Sequence, residues 1–260
     1  MRSLGRGLGR FSSLLLLLFI LPALASLMVW ISTQNLPSSW RTADWSSARI
    51  FKEASQDPEA AVYVMAARTG GTKGAFSVHS WIVTKAKHAD HYNRYDKVGW
   101  GSPIRLNAYA ADGRWYSNTP QIVAEYKGEQ AEKLIPKIEA AIRSYPYSKH
   151  GDYTIWPGPN SNTFVAHVLN KVTEMNIVLP ANAVGRDYRP IENWINIDDD
   201  WANMQISLGG YAGLSVGIRN GFELSFLGLV SGFDISKLAL KIPGFGDVFF
   251  EPNSAEADTP

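Results

Sequence analysis

No charged residue interrupts positions 11–31 of this 260-residue chain. In a helix, at about 1.5 Å per residue, that run matches the ~30 Å hydrocarbon core of a bilayer. Arg2, Arg6 and Arg10 precede it. Basic flanks stay in the cytoplasm, which sends the rest of the chain to the far side. Two readings of the run stand. Pro22 followed by Ala23-Leu24-Ala25 fits a signal peptide cleaved after Ala25. The apolar run continues past that point to Trp30, placed as an interfacial anchor, which fits an uncleaved membrane helix.

Beyond a polar linker the period shortens to two. Residues 60–67 predict a strand and 69–74 a turn. Residues 75–84, rich in β-branched and aromatic side chains, predict a central strand, with His79 on the opposite face from Val78. Further strands are expected over 94–100, which carries Asp96, and in shorter pieces at 104–109 and 114–116. The period then lengthens. Ala131, Leu134, Ile135, Ile138, Ala141 and Ile142 share one face of a helix over 129–145, which Pro136 should kink or divide.

A rigid turn follows. In Trp156-Pro157-Gly158-Pro159 the prolines and glycine forbid a helix, and Asn160, Ser161 and Asn162 are all good N-caps. Phe164, Val165, Val168 and Leu169 then share a helical face, in a helix running out near Met175. Polar side chains at such a start meet unpaired backbone N–H groups and the positive end of the helix dipole. That position suits a nucleophile or an anion, although capping alone accounts for the trio.

Residues 181–200 show no period and predict an irregular loop. From 205 to 242 the pattern returns to strands, with Asn220-Gly221 as a hairpin turn. The order predicts an α+β fold: a membrane anchor or signal segment (1–31), a linker (32–56), a core (57–180), a loop and glycine-rich β meander packed on it (181–250), and a disordered tail (251–260). Trp40 and Trp45 of the linker fit the membrane surface or a docking site on the domain.

The net charge of +1 gives no argument for nucleic acid. The absence of Cys excludes disulfides, thiolate metal sites and a thiol nucleophile. No cofactor and no metal are expected. His88 and His91 have a metal-like spacing, but Lys85, Lys87 and Arg94 surround them. The run Asp198-Asp199-Asp200 could attract a divalent cation, and a solvated loop explains it as well. His79 is the histidine most firmly inside a strand, as a satisfied core residue or as the lining of a cleft.

Two segments resemble known families. His79-Ser80-Trp81-Ile82-Val83 resembles the histidine strand of permuted papain-like hydrolases. Asn160-Ser161-Asn162-Thr163-Phe164 resembles the Asn-Cys-Asn-Thr-Phe motif of the PPPDE deSUMOylating peptidases. Relatives of that fold include NlpC-type cell-wall peptidases and lecithin:retinol acyltransferase. The likeness covers residues 60–169, in matching order. Across its length the chain also resembles a bacterial family defined only as domain of unknown function 3750, which brings no activity.

The papain-like resemblance implies an antiparallel sheet with helices, His79 as base, Asp96 orienting it, Asn160, Asn162 or backbone N–H groups at an oxyanion, and Trp81 lining the cleft. It departs at the nucleophile, where Ser161 stands for Cys. A hydroxyl is far less acidic than a thiol and needs an aligned base and an oxyanion hole. The expectation is therefore a hydrolase or acyltransferase anchored in the bacterial inner membrane, facing the periplasm or exterior, acting on a peptide or lipid. The alternative is an inactive binding or scaffolding module on the same frame. Oligomeric state is left open.

Overall fold

The computed structural model describes residues 2–197 and 201–250. The acidic run Asp198-Asp199-Asp200 and the tail 251–260 lie outside the described residues. The fold is α+β, with two antiparallel sheets. The first is built from β1 (Ala61–Arg68), β2 (Val78–Lys85), β3 (Asn93–Lys97), β4 (Ile104–Leu106) and β5 (Gln121–Lys127), in the order β4-β3-β2-β1-β5. β2 is its middle strand, as its composition predicts.

Both faces of this sheet are covered, so β1 and β2 are buried at almost every position. Val62, Val64 and Ala66 of β1 and Val78 and Ile82 of β2 face the helices α3 (Gly128–Arg143) and α4 (Ser161–Lys171). Ala61, Tyr63, Met65 and Ala67, with Trp81 and Val83, face an aromatic layer from the linker and the loop after β4. Phe51 stacks on Tyr63 at 4.2 Å, and Trp45 meets Trp115 edge-on at 5.1 Å. The linker is thus part of the core. Trp45 docks on the domain, whereas Trp40 is exposed.

Three sequence expectations need correction. Residues 114–116 form no strand; Trp115 only bridges Asn118. β5 was not expected at all. It is an edge strand with one buried residue, Tyr126, and its charged Glu125 and Lys127 hide the alternation. Such charges are how exposed edges resist pairing with other chains. Pro136 does not divide α3. It sits on the exposed face, opposite the buried Ala131, Leu134 and Ile138, so water can take up the carbonyl bond that the proline cannot make.

The second sheet is a meander of β6 (Ile195–Ile197), β7 (Asn203–Leu208), β8 (Ala212–Gly217), β9 (Gly221–Phe226), β10 (Leu229–Asp234), β11 (Ala239–Ile242) and β12 (Gly246–Phe249), paired in chain order. The Asn220-Gly221 turn joins β8 to β9, and Gly221 takes the left-handed conformation (φ 64°) that a turn there needs.

Helices α1 (Arg2–Leu15) and α2 (Leu21–Thr33) join through a π-helical turn at Leu16–Ile20. Within them Gly9–Thr33, 25 residues of mean hydropathy 2.7, is long and apolar enough to cross a membrane. One stripe of it nevertheless docks on the domain. Phe19, Ala23, Ser26 and Trp30 are buried, Ser26 Oγ donates to Ala75 O at 2.6 Å, and Trp30 Nε1 donates to Gly71 O at 3.0 Å. Trp30 is therefore a docking residue and not the interfacial anchor expected. Replacing Pro136 with Ala should restore the missing backbone donor and stabilise the protein by about 1–3 kcal/mol. The guanidinium unfolding midpoint of the full chain in detergent measures it.

Candidate active site

α4 begins where four segments of backbone converge. Asn160 is its N-cap. Asn160 Oδ1 accepts from the amides of Asn162 (2.9 Å) and Thr163 (3.1 Å), while the Asn160 amide donates to Thr163 Oγ1 in return. This closes a capping box with Thr in the fourth place. Asn160 Nδ2 donates to Ile155 O and Val184 O, both at 2.9 Å. Asn162 reaches the sheet: its Nδ2 donates to Val78 O (2.9 Å) and Val184 O (2.8 Å), and its Oδ1 accepts from Ser80 Oγ (2.7 Å). Ser161, the first helical residue, is held between these two amides and is itself buried.

Both asparagines thus spend every side-chain donor on backbone carbonyls. Neither has one left for an oxyanion, which corrects that expectation for their side chains. The Asn162 and Thr163 amides are also taken, by Asn160. Among the described residues the Ser161 amide has no acceptor.

On the central strand, His79 is buried and its Nε2 meets Asp96 Oδ1 at 2.9 Å. β3 runs antiparallel to β2 with Ile82 opposite Tyr95, which sets Asp96 diagonal to His79 on the aromatic face. Two residues back on that face, Arg94 grips the same carboxylate, Nε to Oδ2 at 2.7 Å and Nη2 to Oδ1 at 2.9 Å. The guanidinium lies 3.9 Å over the Trp81 ring. Burial pushes the Asp96 carboxyl upward, but Arg94 and then His79 outweigh it and hold it below the usual range. An ionised Asp96 can only accept, so the network assigns the proton of His79 to Nε2 and leaves Nδ1 as the ring's acceptor. Burial lowers the pKa of His79, partly offset by Asp96, so the ring is neutral near pH 7. Trp115 stacks against it at 3.7 Å, nearly parallel.

His79, Ser161, Asn160 and Asn162 line one open cavity of about 1020 Å³ at the start of β2. Trp81 does not. It is fully buried, its Nε1 donates to Ala111 O, and it supports Arg94 from below. Arg94, Trp115 and Tyr153 were not expected at the site. The spacing of Arg94 and Asp96 on one strand face could have signalled the first. Nothing local marks Trp115, which comes from a loop. Tyr153 opens the run into the proline turn; its hydroxyl lies beside Ser161, and burial pushes its pKa up to about 12. His167 is a satisfied packing residue, within 3.2 Å of Ala141 O on α3.

Asp96→Ala should cost about 3–5 kcal/mol, because it strands the buried Arg94 charge. Acid should destabilise the native protein in two stages. Below pH 6.5 the unfolded chain takes up a proton that native His79 refuses, so stability falls there; half-buried His167 adds the same sign. The stability contributed by ionised Asp96 is present above pH 3.8 and is lost as pH drops through its lower native value. Unfolding midpoints across pH should show both stages, and His79→Phe should shrink the first and, because His79 also helps hold Asp96 ionised, weaken the second.

No curated protein and no solved structure matches the chain. One family does, over residues 59–188, which spans β1 to the loop that clamps the α4 start and includes His79, Asp96 and Ser161. The chain belongs to the family described as Protein of unknown function (DUF3750).

Proposed function

We propose that the protein is a membrane-anchored serine hydrolase or acyltransferase on a permuted papain-like frame. The observation that carries the reading is the Arg94–Asp96–His79 chain ending at the cavity that Ser161 also lines. The order of parts supports it: a histidine strand, an orienting acid on the next strand, a helix, then the helix that begins with the nucleophile.

In this reading Nδ1 of His79 takes the Ser161 proton as Oγ attacks an acyl carbon. Asp96 holds the ring in the required tautomer and stabilises the imidazolium that forms. The Ser161 amide, at the positive end of α4, donates to the oxyanion. Tyr153 stands close enough to Ser161 to donate as well. The apolar span Gly9–Thr33 and the arginines ahead of it support an anchor with the domain on the non-cytoplasmic side.

A fluorophosphonate probe should label the native protein at Ser161. Ser161→Ala should abolish labelling, and His79→Ala should slow it by about 10²–10⁴. Because the pKa of His79 lies below 6.5, the labelling rate should be on its plateau at pH 7 and fall on acidification. Labelling that persists in Ser161→Ala sinks the assignment. The inactive-module alternative has its own signature: no labelling of Ser161, but a Ser161→Cys thiol that reacts with iodoacetamide fast at neutral pH and slowly once His79 is also removed.

A further inference from the structure

The apolar helix walls the cavity. Ile20, Ala23 and Leu24 of the helix line it together with Ile155, Trp156 and Leu227 of the domain, and His79 and Ser161 line the same space. Ile20–Leu24 is the middle of the span Gly9–Thr33. From Leu24 to the end of that span is about 14 Å of helix, close to half the hydrocarbon thickness. A bilayer that held this helix upright would therefore put the Leu24 wall at the depth of lipid tails. The domain residues of the lining suit that depth: Ile155 is 59% exposed, Leu227 47% and Trp156 37%. Grouped around one cavity, such side chains mark a site for an apolar ligand or a membrane. The helix is seated there by its own stripe of Phe19, Ala23, Ser26 and Trp30, so the wall is a built part of the cavity.

We infer that the cavity takes the acyl chain of a membrane lipid, entering sideways from the bilayer along Leu24. The chemical step rests on the function proposed above, whereas the binding does not. In that step Ser161 Oγ attacks the acyl carbonyl of the lipid and its proton passes to His79. The tetrahedral adduct collapses, the lipid's alcohol or amine leaves with that proton, and the acyl group stays on Ser161 as an ester. Water or an acceptor hydroxyl then gives its proton to His79, attacks the ester, and releases the acyl product; the proton returns to Ser161.

The test uses the full chain in vesicles of phosphatidylethanolamine and phosphatidylglycerol in equal parts, doped with a phosphatidylethanolamine carrying a diazirine at the end of one acyl chain. After irradiation, crosslinks should map to the segments containing Ile155 and Leu227 as well as to Leu24. Ser161→Ala should keep them. Ile155→Glu, which sets a carboxylate against the chain, should cut those on the domain side by about tenfold. Crosslinks confined to the exposed side of the helix, at Leu17 and Met28, and unchanged by Ile155→Glu, overturn the inference. Fluorophosphonate labelling separates the two ideas. Labelling without cavity crosslinks leaves the catalytic reading standing and removes the lipid. Cavity crosslinks without labelling support the lipid and remove the serine chemistry.

Discussion

Everything at the site depends on one carboxamide. Asn162 uses both its donors and its oxygen in three directions, to β2 through Val78 and Ser80 and to the following loop through Val184. Buried polar groups are expensive to strand, so this full set admits one position for the start of α4 against the central strand. Asn160 repeats the device one residue before Ser161, tying the proline turn and the same loop to the helix. A polar trio that caps a helix and a polar trio that positions a nucleophile are here the same trio. The two asparagines do the fastening, and the serine is what they fasten.

The second constraint is electrostatic. Arg94 and Asp96 form a buried ion pair in the aromatic layer, a costly arrangement unless every lone pair and proton is matched. Here each nitrogen of the guanidinium and each oxygen of the carboxylate has a partner, Oδ1 being shared with His79. Ring orientation and tautomer of the imidazole follow from the charge pair behind it and the indole face of Trp115 beside it, while its neutrality follows from burial, against the pull of Asp96. The sheet contributes only spacing: residues two apart on β3 reach one carboxylate, and the diagonal across to β2 brings the imidazole to it.

Much of this was legible in the sequence where the physics is local. β1, β2, α3 and the Asn220-Gly221 hairpin follow from period and turn chemistry, whereas the pairing of His79 with Asp96 came from the papain-like resemblance. What was not legible depends on distant segments meeting. Trp115 comes from a loop without periodicity, and β5 carries an edge strand's charges. Trp81 looked like a cleft residue because it neighbours His79 by resemblance, yet it shares the face that the Arg94 guanidinium covers. The donors of Asn160 and Asn162 looked available because nothing in the sequence shows that Ile155, Val78 and Val184 present their carbonyls to them. The docking stripe Phe19, Ala23, Ser26 and Trp30 was hidden in a run that reads as uniformly apolar.

That stripe has a mechanical corollary. A membrane helix joined to a domain by a linker alone is a tether, and the domain rides at whatever height the linker allows. Here two hydrogen bonds and four buried side chains fix the domain to particular turns of the helix. With that helix in a bilayer, the tether becomes a ruler. The height of Ser161 relative to the lipid is then set by where Ser26 and Trp30 fall along the apolar run, and lengthening the linker would not change it.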